Sequence, residues 1–185
     1  MPDYPTLRHA RGPPATCGRG SRRPVPGDTP TRDRGAEWFA HVDPVTGEAG
    51  LRFSCTMCGH CCTGPEGYVL VSPEEIDALA TRMGLSREAF TERYTHMTLK
   101  GRSLIENQTG EGMDCVFLDR VKVPGKAVCG VYEDRPAQCR SWPFWPSVVR
   151  TRDAWERTGR GCPGMGKGTH YSVTQIRVLR DSFEI

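Results

Sequence analysis

Four of the nine cysteines in this 185-residue chain fall within eight positions, Cys55-Thr56-Met57-Cys58-Gly59-His60-Cys61-Cys62. Cys55, Cys58 and Cys61 recur at every third residue, and Cys62 follows at once. In a tight loop that spacing turns three sulfurs toward one point, which suits a soft cation or one face of an iron–sulfur cluster. Gly59 allows the loop a left-handed or strained backbone. Adjacent side chains project in different directions, so Cys61 and Cys62 are expected to serve different metals. Cys115, Cys129, Cys139 and Cys162 bring the set to eight thiols, enough for two four-thiolate sites.

Two blander readings compete. A lone buried cysteine is a common core residue, but eight thiols with four packed together are not explained that way. A disulfide framework needs an oxidising compartment, and Cys61 and Cys62 could bond each other only with strain. Metal ligation is therefore the expectation, with zinc or an iron–sulfur cluster as cofactor. His60 is expected not to be a ligand, since eight thiols already suffice for two sites. Four thiolates around one divalent ion leave a net charge of −2, so Arg135 or Arg140 is expected to offset it. The alternative is that these arginines pair with Glu133 or Asp134.

The elements that must position these thiols are short. Hydrophobic residues make up 37% of the chain, beside 21 glycines and 15 prolines, which implies a modest core and many turns. Residues 1–34 carry seven arginines against three acidic residues and little apolar surface, and are read as a disordered tail holding a free Cys17. The cysteine domain then spans 35–185. Without the tail the chain is close to neutral, which argues against nucleic-acid binding. No apolar run is long enough for a membrane span and no apolar leader opens the chain, so reduced thiols in the cytoplasm are expected.

Trp38 and Phe39 are expected to anchor the start of the domain, and Leu51 to Phe53 to lead into the loop as an extended segment. Tyr68 to Val71 reads as a strand. Ser72-Pro73-Glu74-Glu75 is a helix start with a capping box, and Ile76, Leu79, Ala80 and Met83 form one apolar face. Ser86 caps a second helix, with Leu85 stapled to Phe90 and Tyr94 continuing its face. Ser103 to Asn107 is extended, 108–112 is loop, and Cys115 to Leu118 and Ala127 to Tyr132 are strand-like around a turn at Pro124-Gly125. A hairpin there would bring Cys115 and Cys129 together. Pro136 opens a helical turn, and the aromatic run from Trp142 to Pro146 is expected to pack over the metal region. Trp155 anchors a short helix. Gly164 to Gly168 is a flexible turn that lacks phosphate-loop spacing. Ser172 and Gln175 form another capping box, with Tyr171 and Ile176 as staple, and Ile176, Leu179 and Phe183 as the face of the last helix. The expected fold class is α+β: a small, irregular, metal-organised domain with two or three helices and short strands.

The constellation resembles the YkgJ-type CxxCxxCC family of zinc- or iron-chelating, "Fe-S-cluster-containing" proteins. The residues that carry the likeness are Cys55-x2-Cys58-Gly59-x-Cys61-Cys62, then Cys115-Val116-Phe117-Leu118, then Cys129-x2-Tyr132-x2-Arg135-Pro136-x2-Cys139-Arg140, and Cys162-Pro163-Gly164. The resemblance implies metal chelation by these cysteines and little about a reaction. Flagellin lysine methylases look similar in their cysteine segment and are linked with an iron–sulfur cluster, but this chain looks too short for such an enzyme's other parts. Three functions stay open: a metal-handling, redox or assembly protein, a cluster-dependent enzyme such as a protein-lysine methylase-like protein, and a zinc-stabilised module for a protein partner. No hydrolase triad, H-E-x-x-H or dinucleotide fingerprint is present.

Overall fold

The fold is a computed structural model that describes residues 37–182. The expectations for the 1–34 tail, for Cys17 and for Phe183 fall outside the described residues.

Local sequence signals set the helices. In α1 (Pro73–Arg82) the Ser72 hydroxyl accepts from the Glu75 backbone, and Glu75 reaches back to the Ser72 N–H at 2.9 Å. Glu75 also acts at longer range. Its other carboxylate oxygen accepts from the Ala137 N–H at 2.6 Å, tying α3 (Ala137–Arg140) to the start of α1. Ser86 caps α2 (Arg87–Tyr94) through the Ala89 N–H at 3.2 Å. Thr151 caps α5 (Arg152–Gly159), and Ser172 and Gln175 form the box of α6 (Val173–Asp181). With α4 (Pro146–Val149), the described residues hold six α-helices, more than the two or three expected. Of the six, α4 is the helix that the sequence does not announce, a four-residue turn too short to leave a periodic signature.

The strands form four separate antiparallel pairs. β1 (Leu51–Phe53) pairs with β8 (Thr169–Tyr171), and β2 (Thr95–Thr98) with β3 (Gly101–Leu104). β4 (Glu106–Thr109) pairs with β5 (Gly112–Cys115), and β6 (Leu118–Asp119) with β7 (Val128–Cys129). The α+β class expected from the sequence is the class observed.

Several boundaries differ from expectation. Residues 68–71 make one bridge, Leu70 with Ser103, because the Gln138 side chain takes the Leu70 N–H and the Tyr68 carbonyl instead of a strand partner. Gln108 and Thr109 belong to β4, leaving only Gly110 and Glu111 as turn. The segment from Cys115 to Leu118 breaks in the middle, where the Val116 N–H bonds Ile105 and Phe117 enters the core. β7 ends at Cys129, and a 3-10 turn over Tyr132–Asp134 follows. The 164–168 segment is a packed crossing: the Ser54 N–H donates to the Gly164 carbonyl at 3.2 Å, and the Gly166 N–H to the Arg52 carbonyl at 2.8 Å.

Two apolar cores result. One gathers Phe39, Leu51, Phe144, Val148, Val149, Trp155, Cys162, Met165 and Ile176. The other gathers Val71, Ile76, Leu79, Ala80, Phe90, Leu104, Phe117 and Val131, with Phe90, Tyr94 and Phe117 stacked at 5.2–6.2 Å. Trp38, the expected anchor, packs on the first core and donates its indole N–H to the Val149 carbonyl at 2.6 Å.

Beside the second core, buried Asp114 accepts both arms of Arg120 at 2.8 and 2.9 Å. The guanidinium holds the Asp114 carboxyl at about 2, against the upward push of burial. A depressed folded value stabilises the fold above the ordinary carboxylate range and loses that stabilisation as pH falls through the folded value. Denaturant melts from about pH 5 to pH 2 should therefore lose stability less steeply for Asp114→Asn than for the parent. Parallel curves would show that the pair contributes nothing.

Candidate metal centre

The cysteine loop turns because two residues adopt left-handed backbone. Gly59 has φ 79°, and a Cβ there would lie 2.7 Å from the Ala127 Cβ. Met57 takes φ 55° without being glycine. The Cys62 N–H closes the turn on the Gly59 carbonyl at 2.8 Å, and the Met57 carbonyl accepts from the Ala127 N–H at 2.8 Å. All eight sequence-predicted cysteines, from five separated segments, line one cavity of 850 Å³. Residues of both cores, among them Phe53, Trp142, Trp145 and Tyr171 on one side and Val69, Leu104, Phe117 and Val131 on the other, share its wall. Of the aromatic–proline run, Trp142 and Trp145 line the cavity beside the thiols, while Phe144 is buried in the first core.

Two details of the loop depart from expectation. Cys61 Sγ and Cys62 Sγ lie 3.5 Å apart rather than diverging, on the turn that the Cys62 N–H closes onto the Gly59 carbonyl. Among the described residues, no three Cys, His, Asp or Glu side chains stand at the spacing of a single ion's ligand shell. The thiols line the cavity wall and do not form the two nests of sulfurs within ~4 Å that zinc ligation would give. His60 is turned away to the Gly161 carbonyl, a contact consistent with a non-ligand role.

The arginines resolve differently from each other. Asp134 pairs with Arg82, so it is not the partner of Arg135 or Arg140. Arg140 lies 3.8 Å from Glu75, because α3 points it at the start of α1. Arg135 stacks its guanidinium 3.7 Å over Tyr132 and donates Nε to the Tyr132 carbonyl at 3.0 Å. It forms no ion pair among the described residues, and its charge acts on Cys61, Cys129 and Cys139.

The thiols differ in acidity. The contact with Cys62 pulls the Cys61 thiol well below its ordinary range, against burial, with Arg135 and His60 adding to the effect. The same contact, together with burial, pushes Cys62 up. Burial pushes Cys115 up to about 11 and also raises Cys129, Cys139 and Cys162. A soft cation reverses that preference, since a coordinated thiol is deprotonated outright, and its uptake releases protons.

Whether this donor set fits such a group can be tested on one orphaned atom. Trp142 Nε1 is buried with no hydrogen-bond partner among the described residues, in the wall of the cavity that Cys162 also lines. An indole N–H can only donate, and a thiolate would be a stronger acceptor for it than a thiol. The hydroxyl of Thr56, inside the loop, is also buried without a partner. The residues present therefore fit a thiolate-bound metal. The orphaned Trp142 N–H escaped sequence reasoning, which gives packing but not which donor is left without a partner. Trp142→Phe keeps the packing and removes the donor, and is expected to weaken zinc binding by about 10-fold or more, the usual cost of losing an outer partner of a ligand. Competition with a chromogenic chelator measures this, and an unchanged affinity would remove Trp142 from the site.

No solved structure matches this chain. Among the described residues, no helix is long and apolar enough to cross a membrane. A family model named CxxCxxCC, described as "Putative zinc- or iron-chelating domain", matches residues 54–163, which takes in all eight cavity cysteines. With more than half of its length matched, the chain belongs to the CxxCxxCC family.

Proposed function

We propose that this protein binds zinc or an iron–sulfur cluster through Cys55, Cys58, Cys61, Cys62, Cys115, Cys129, Cys139 and Cys162, and that it handles metal in the cytoplasm. The observation that carries the reading is the convergence of eight thiols from five segments on one cavity. A purely structural four-thiolate site is closed. Here Cys55 is exposed and the cavity opens to solvent, so a ligand can exchange from outside. Arg135 balances the thiolate charge. When bound, the metal would supply Lewis acidity or one-electron chemistry. The chain itself supplies the sulfur cage, the indole donor and the aromatic cover that limits water.

Anaerobic purification followed by metal analysis tests this. Zinc or iron should copurify or be taken up on reconstitution, Cys58→Ser should lower the content, and Cys17→Ser should leave it intact. A protein that takes up neither metal sinks the reading. A second reading, a cluster-dependent enzyme, draws on the cavity's 850 Å³, which falls within the ~300–1,000 Å³ of small-molecule sites. It requires a brown, iron-containing preparation, and a colourless zinc protein removes it.

A further inference from the structure

We propose that the adjacent thiols Cys61 and Cys62 form a binding site for a monosubstituted trivalent arsenical, an aryl or alkyl arsenoxide. Its arsenic bridges the two sulfurs, and its carbon substituent lies in the cavity. The site belongs to the metal-free chain and does not depend on zinc or iron uptake.

The spacing of the pair sets what it can hold. The two sulfurs lie 3.5 Å apart. A direct bond would need them at about 2.05 Å, between Cα atoms that disulfides ordinarily hold ~4.4–6.8 Å apart. The peptide that joins Cys61 to Cys62 is trans, which fixes their Cα atoms only ~3.8 Å apart. The pair is therefore too close along the chain for an unstrained disulfide, yet its sulfurs are near enough for one atom to join them. Bonds of about 2.3 Å, the zinc–thiolate length, would meet at that atom at ~100°. Such an angle suits a pyramidal centre with three bonds and a lone pair. Trivalent arsenic is a thiophilic centre of that shape.

The number of sulfurs sets the class. Inorganic arsenite completes its shell with three thiolates, and among the described residues no three cysteines stand at the spacing of one ion's shell. An arsenoxide with one carbon substituent needs only two. Its third position carries the carbon group, and the cavity that both cysteines line presents Phe117, Trp142, Trp145 and Tyr171 to receive it.

The backbone fixes the pair beforehand. The Cys62 N–H donates to the Gly59 carbonyl, and the Cys62 carbonyl accepts from the Cys115 N–H, each at 2.8 Å. Both peptide groups of Cys62 are thus held, and little ordering remains to be done on binding. The step is a condensation without redox change. Two arsenic–sulfur bonds form, the arsenic–oxygen bond and both S–H bonds break, and the oxygen leaves with the two protons as one water. Arsenic stays trivalent.

The test is thiol mapping of the full chain, reduced and freed of metal by chelation, with circular dichroism retained. One equivalent of phenylarsine oxide is added, free thiols are alkylated, and the blocked positions are read by mass spectrometry against the untreated chain. Cys61 and Cys62 should be protected together, and excess dithiol should release them. Protection of any other cysteine, or of none, overturns the proposal. Cys61→Ser and Cys62→Ser should each raise the concentration for half-protection of the remaining thiol by ~100-fold or more, because the second bond is intramolecular in wild type. A folded variant that titrates like wild type overturns the proposal. Phenylarsine oxide should bind about 10-fold more tightly than its methyl analogue, through the apolar surface that the ring buries. Equal affinity overturns the seating of the carbon group. If the chelated chain does not stay folded, the same mapping is made on the chain as purified, with the same outcomes. Zinc and iron content play no part in the readout, so metal binding stands or falls separately.

Discussion

Complete removal of metal is expected to lower the melting temperature by more than ~10 °C. Metal bound only to the folded chain contributes its binding free energy to folding, and thiolate zinc sites reach about 10–16 kcal/mol in small peptides. A domain of this size shifts by roughly 2–4 °C per kcal/mol, so even ~5 kcal/mol gives the stated drop. The described fold has little else to hold its middle: four separate two-stranded ladders meet at a cavity that both cores share. Differential scanning calorimetry before and after chelation, with metal loss verified by elemental analysis, is the measurement. Coincident melts would show that the thiols do not stabilise the fold through metal.

The second large effect concerns Gly164. A Cβ at this position would lie 2.0 Å from the Ser54 carbonyl oxygen and 3.1 Å from its carbon. Both are backbone atoms of the segment that leads into the cysteine loop, so no side chain can swing away to make room. Gly164→Ala must therefore push the 161–165 turn off β1, at a cost of about 3 kcal/mol, the upper end of overpacking. The same displacement carries Cys162 away from Cys55, so zinc content should fall along with stability. Gly110→Ala is the control: nothing lies within 4 Å of its added Cβ, and it should stay within about 0.5 kcal/mol. If Gly164→Ala melts and binds zinc like the control, the crossing is not what positions Cys162.

What can be read from the sequence is local. Both capping boxes, at Ser72 and Ser172, involve atoms three residues apart, and both form as expected. The eight-cysteine set is visible because residue type alone marks a soft ligand. The pairing of β1 with β8, separated by more than a hundred residues, leaves no trace in either three-residue strand. Cys61 and Cys62 stand with their sulfurs 3.5 Å apart, against the expected divergence, and the loop they end includes a left-handed Met57 that nothing in its side chain announces. Arg135 and Arg140 look equivalent as neighbours of Cys139, yet α3 sends one toward Glu75 and leaves the other over Tyr132.

The two cores also bear on cooperativity. Each is a compact apolar unit with its own helices, and where the two meet a cavity lined by eight thiols as well as apolar side chains stands between them. Sulfur and solvent transmit little packing energy, so without metal the halves are energetically insulated and can open one at a time. Metal ligated from both sides would weld them into one unfolding unit. Amide exchange would then report one opening free energy for Leu79 and Ile176 in the loaded protein, and two different values once the metal is gone.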